Sequence, residues 1–334
     1  MTDRFFYGGQ AVIEGVMMRG RKSTVTAVRR PDGEIITEVN PLSSLYTGKL
    51  RKIPFVRGVI ALVESMVLGV KTLVFSANVA LEEDGEKAVQ LSGPKLWLLL
   101  GVSLAISAGL FFLVPLIFTD LLSSLKEMSA LAFNLVEGLI RLGIFIGYIG
   151  TISRMPDVKR LFAYHGAEHK TINAFEAGIP LEIASIRKYS TAHIRCGTSF
   201  LFAVMVIAIL VFSLIGKTAL YFMVLARLAL IPVIAAISYE ITFFGARHCN
   251  NPIVRAVLSP GLLLQKLTTR EPDDSQIEVA IAALKRAIEI DAPVTVPEVE
   301  AAAGRLRPTL LLFFHVRPIG LSPRSGPITA CYQV

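Results

Sequence analysis

The sequence predicts a mainly α-helical, polytopic membrane protein. It would have four transmembrane helices, an amphipathic helix lying in the interface, and a small cytoplasmic β unit at the N-terminus. Three observations carry this. The 334 residues are 53% hydrophobic and 18% charged, with mean hydropathy +0.59, more apolar and less charged than a soluble domain of this length. The apolar residues come in runs long enough to cross a hydrocarbon layer of about 30 Å. The basic residues gather on alternate loops.

Residues 1–53 read as the cytoplasmic β-rich unit. "MTDRFFYGGQ" lacks the apolar core of a secretory signal. "YGGQAVIEGVMMRG" (7–20) packs four glycines into 14 residues, which suits either a connector or a ligand loop. "TVTAVRR" and "EIITEV" alternate in the manner of strands and flank "PDG", a hairpin signal. In residues 54–95, Arg57, Glu64, Lys71 and Asn78 recur every seven residues. On a helix they form one polar stripe, facing water or other protein groups, with an apolar remainder for the interface. The acidic "LEEDGEK" follows.

Residues 96–153 hold the first two spans. The run 96–118 is uncharged, and 132–153 encloses Glu137 and Arg141, which can pair along one helix. Residues 198–245 hold the other two. The run 198–215 is uncharged, and 219–244 encloses Arg227 and Glu240. Pro115 and Pro232 predict kinks. Residues 246–290 read as a cytoplasmic helical segment. Its last helix would be capped by Ser275 and present Ile277, Ile281, Leu284 and Ile288 on one side. Residues 291–334 lose the pattern and gather prolines, as a disordered tail does.

The net charge of +8 is concentrated before the first span, between the second and third, and after the fourth. The positive-inside rule then places both termini and the 154–197 loop in the cytoplasm. Basic juxtamembrane segments account for the charge, so lipids and further copies of the chain are the expected partners, and nucleic acid is not. Cys196, Cys249 and Cys331 are few and scattered, which argues for a reducing compartment and against a disulfide framework.

The chemistry gathers in "YHGAEHKTINAFEAG" (164–178). On a helix, His165 and His169 lie one turn apart on one face with Glu168 beside them. This is the His-x-x-Glu-His pattern in which two imidazoles hold zinc and the glutamate is a general base. His193 and Cys196 stand in "HIRC" just before the third span, and His248 just after the fourth. Two sites compete. One is open: His165, His169 and a third ligand from His193, Glu176 or Glu240. The other is closed: His165, His169, His193 and Cys196. Open sites are catalytic and closed ones structural. The cofactor would be zinc or another divalent metal. Cys196 reads as a small residue opening a helix rather than as a nucleophile.

These blocks, with "AISYE", "NNPIVRAVLSPG" and "LTTREPDDSQIEVAIAALK", resemble the YqhQ-like family of bacterial multi-pass membrane proteins over residues 5–288. The resemblance implies a metal-dependent enzyme in the bacterial plasma membrane. It carries the metal role onto His165, His169, Glu168 and His193, and puts forward Gln10, Glu14 and Arg19 as site residues. With Lys170 and Asn173 beside the motif, these form the expected substrate-binding set. The expected function is metal-dependent hydrolysis at the cytoplasmic face. The alternatives are a scaffold or regulator with structural zinc, and a transporter or channel using the intramembrane charges.

Overall fold

The computed structural model describes residues 5–82, 93–214, 220–248 and 250–292. The tail beyond residue 292, His315, Cys249, Cys331 and most of the acidic loop lie outside them. Four strands form one antiparallel meander in chain order: β1 (Gly8–Val12), β2 (Gly15–Arg19), β3 (Ser23–Arg29) and β4 (Ile35–Pro41). The glycine-rich stretch, read above as connector or ligand loop, is instead the first hairpin. Val12 pairs with Gly15, and Glu14 takes the left-handed turn position, φ 52°.

Eleven helices are described. α1 (Ser44–Thr47) is a single turn, followed by a 3-10 turn at Lys49–Lys52 and by α2 (Val56–Ala80). α3 (Gly93–Ala108) runs through a π turn (Gly109–Leu113) into α4 (Val114–Leu125). Then come α5 (Ala130–Ile152), α6 (Pro156–Glu176), α7 (Ile183–Ile186), α8 (Gly197–Ser213), α9 (Leu220–Arg247), α10 (Pro252–Thr268) and α11 (Asp274–Asp291). Among the described residues four helices are long and apolar enough to cross a membrane: α2, the α3–α4 rod, α5 and α9. α8, expected as a span, has 17 residues in its helix, and α2, expected in the interface, meets the length and hydropathy of a span.

The sheet is the middle layer of the polar part. Val16, Met18, Val25 and Ala27 face α6 and α11, whose Ile277, Ile281 and Leu284 complete the core. Val12 and Val28 face the other way, onto Phe75 and Val79 of α2. α2 meets this sheet through Glu64 of its polar stripe, which accepts from Arg19, and through Ser76, outside the stripe, whose Oγ accepts from the Ile13 backbone N–H. α11 is capped by Asp273 in a reciprocal box with Gln276, not by Ser275, whose hydroxyl donates to the Asp273 carboxylate instead.

In the apolar bundle, Pro115 has no N–H for the carbonyl of Phe111, four residues earlier. Arg141 Nε donates to that carbonyl at 2.9 Å. Arg141 also pairs with Glu137, as does Arg227 at 3.0 Å. Near the site, α6 passes the 268–270 segment so closely that a Cβ on Gly166 would fall on the Arg270 carbonyl oxygen. Gly166→Ala is therefore expected to lower stability by roughly 1–3 kcal/mol through overpacking, read as a lower melting temperature in detergent. An unchanged midpoint would mean that the segment retreats from α6 freely.

Candidate metal centre

Pro156 opens α6 as a first-turn residue with no N–H to waste, and Asp157 complements the helix dipole there. The helix then carries His165, Glu168 and His169 to one face. Each imidazole is fixed from behind by a main-chain carbonyl: His165 Nδ1 lies 2.8 Å from Thr268 O and His169 Nδ1 2.5 Å from Thr191 O. A carbonyl only accepts, so Nδ1 carries a proton on each ring and Nε2 is the nitrogen turned forward. This is the outer-shell arrangement of metal-ligating histidines.

Cys196, at the N-cap of α8, turns its Sγ to within 3.3 Å of His165 Nε2. His165, His169 and Cys196 each offer one donor atom, and the three lie within 4.8 Å of one another. They could hold one metal ion. Glu168 completes the face, its Oε2 4.0 Å from His165 Nε2 and 3.9 Å from His169 Nε2. The Gly9 backbone N–H faces its carboxylate. A Cβ on Gly9 would stand 2.9 Å from Glu168 Cγ and 2.5 Å from Met17 O, so glycine alone fits there.

The electrostatics follow from burial against charge. Burial raises the Glu168 carboxyl above its usual range. Burial opposes ionisation at Cys196 too, yet the two neighbouring imidazoles hold its thiol well below its ordinary value. Burial lowers His165, but the adjoining thiolate and Glu168 outweigh that and bring it to about 9. His193 is pushed well below the usual histidine range, by burial first and then by Arg195.

The other candidates divide sharply. His193 packs 5.5 Å ring to ring from His169, but its Nε2 faces Arg195 Nη2 at 3.4 Å. Its backbone is clamped by the buried Gln265, which donates to His193 O at 2.8 Å and accepts from His193 N at 2.9 Å. The closed set of four is not formed. Glu176 is taken by Arg195. Glu240, expected as a possible third ligand, turns instead to Arg57 and to the Phe55 backbone N–H at 2.9 Å, because α2 lies against α9 at that level. His248 stacks on Phe244 at the surface, apart from the other three. Of the expected substrate-binding set, Gln10 and Arg19 line the cavity beside the donors. Glu14 does not; it anchors the hairpin to α6 through Arg160 and Tyr164. Lys170 and Asn173 lie on the other face of α6. There Lys170 Nζ donates to Arg187 O at 2.8 Å, and Asn173 Nδ2 to Ser190 O and Ala192 O at 2.9 and 3.0 Å. They shape the loop that supplies Thr191 O.

Sequence reasoning missed Arg51, Arg195, Phe6, Thr268 and Gln265. Arg195 lies inside "HIRC" but is passed over between the two donor types, and the other four reach the centre by tertiary packing. The cavity in front of the donors has a volume of about 410 Å³. Its walls come from the sheet, α2, α6, α8 and α9.

The family described as "Protein of unknown function (DUF1385)" matches residues 53–290. The "Uncharacterized protein YqhQ" of Bacillus subtilis (strain 168) is 37% identical over 299 residues, covering 86% of this chain and 93% of that protein. No solved structure matches. By the extent of both matches, this chain belongs to the DUF1385 family.

Proposed function

We propose that this protein is a membrane-embedded, metal-dependent hydrolase whose centre is His165, His169 and Cys196, at the cytoplasmic face of the bacterial plasma membrane. One observation carries the reading: three donors converge on one point, both imidazoles are fixed from behind with Nε2 turned forward, and a buried carboxylate flanks the remaining side. Three protein ligands leave a coordination position for chemistry, as in catalytic zinc sites. A bound zinc ion would supply Lewis acidity and acidify water. Glu168 stands where it can take the proton from water in the cavity, and its raised carboxyl suits that task. Gly9 packs against it.

The basic loops support a cytoplasmic placing of both termini and of α6. α2 then lies in the interface. The sheet follows it from Glu64 to Val79, and crossing would carry the sheet's charged rim into hydrocarbon. Its opposite face exposes Val63, Met66, Val67, Val70 and Leu73, which suits lipid.

A second reading has its own support. Sγ of Cys196 is 3.3 Å from His165 Nε2, and His165 is oriented in turn by Thr268, as in a cysteine–histidine nucleophile pair. Elemental analysis separates the two. The metal reading expects about one bound ion per chain, kept in Glu168→Gln while hydrolysis is lost. It also expects Cys196 to be shielded from alkylation until a chelator is added. Metal-free protein with rapid alkylation of Cys196 under all conditions would favour the nucleophile.

A further inference from the structure

We propose that the cavity in front of the centre is a binding site for a lipid with an anionic phosphate headgroup; this names the substrate class and rests on the reading above. The cavity is amphipathic by construction. Its polar half brings Arg19, Arg51 and Arg195 to the wall, against the carboxylates of Glu64 and Glu168. With Glu176 behind Arg195 the carboxylates also number three, so the lining offers anion-binding groups rather than an excess of positive charge. Arg19 is spent on structure: its nitrogens donate to Glu64, Gly20 O and Tyr46 O. Arg51 and Arg195 are different. Each places one terminal nitrogen on a carboxylate, Glu64 and Glu176 respectively. About a quarter of each side chain stays exposed, 25% and 26%. Phe6 packs under the Arg195 guanidinium, 4.4 Å from ring centroid to Cζ, and steadies it. The planar fork of arginine suits a phosphate.

The other half is apolar and belongs to the membrane-type helices. Leu62 comes from α2, Phe200 from α8, and Phe243 and Ala246 from α9. A volume of about 410 Å³ accommodates a headgroup and the first part of a chain, and the wall runs on into helix faces that suit lipid. A free soluble anion needs no such wall. An extended peptide would seek the free edge of β1, but the Glu168 side chain already stands against Gly9 of that strand. The ester or phosphoester region of a lipid seated on Arg51 and Arg195 would lie beside Glu168 and the three donors, all of which line the same cavity.

The test uses full-length protein in detergent, stripped of metal by a chelator, so that binding is read apart from the centre's chemistry. The probes are dihexanoyl phosphatidic acid, dihexanoyl phosphatidylcholine and inorganic phosphate, titrated by calorimetry. Phosphatidic acid is expected to bind tightest. Arg51→Gln and Arg195→Gln should each weaken it about tenfold or more, since each removes a charge-assisted contact. Because both arginines also hold acidic partners, Ser65→Trp is the second variant. Ser65 lines the cavity but is exposed on α2 and bonds only to its own helix at Ala61 O. Its indole should fill the apolar half and abolish lipid binding while the melting temperature holds. Three results would overturn the proposal: arginine variants that bind like wild type, inorganic phosphate binding as tightly as the lipid, or phosphatidylcholine binding as tightly as phosphatidic acid. Lipid binding by a protein that never holds metal would leave this site standing and remove the metal reading. Metal without lipid binding would do the reverse.

Discussion

His169→Ala is expected to empty the metal centre. His169 supplies one of three protein donors, is 1% exposed, and is the one whose second nitrogen is most tightly held, 2.5 Å from Thr191 O. Loss of an outer-shell partner alone typically weakens metal binding 10–100-fold, so loss of the ligand itself should exceed about 100-fold. Elemental analysis of protein from matched preparations checks this. Cobalt substitution adds a direct reading of the third donor. A sulfur-to-cobalt charge-transfer band should be present in wild type and absent in Cys196→Ser. Wild-type metal content in His169→Ala would sink the proposed ligand set. A metal-loaded protein without the band would remove Cys196 from it and return the third position to another group.

Glu137→Leu should be the most destabilising substitution in the apolar bundle. Glu137 is fully buried and accepts from both Arg141 and Arg227, which are themselves 3% exposed. Removing the carboxylate leaves two guanidiniums uncompensated over the rings of Phe112 and Phe212. Breaking a buried pair by deleting one partner costs about 3–5 kcal/mol, and here one carboxylate serves two cations. Glu137→Gln keeps an acceptor and should be milder. Scanning fluorimetry and size exclusion in detergent would measure both. Equal stability of Glu137→Leu and wild type would show that the arginines draw compensation from elsewhere, and the ion cluster would lose its structural role.

The alternation of "TVTAVRR" and "EIITEV", the seven-residue polar recurrence of 57–78 and the long apolar runs are each local, so strands and helices could be read from them. They became β3, β4, α2, α5 and α9 within a few residues of the expected bounds. The glycine-rich stretch was harder, because two five-residue strands that each open on glycine carry little alternation. The spacing of His165, Glu168 and His169 is also local: a helix puts such residues on one face whatever surrounds it. That much of the centre was determined by the sequence itself. The third donor was not. Cys196 lies 31 residues from His165 and reaches it only because Asn173 ties the 190–192 loop back onto α6 and Gln265 clamps His193. Glu240 was removed from the ligand candidates by Arg57, 183 residues away in sequence. Helical spacing is enforced by the backbone's own hydrogen bonds, residue by residue. Which distant side chain meets it depends on how whole elements pack, and no local pattern encodes that.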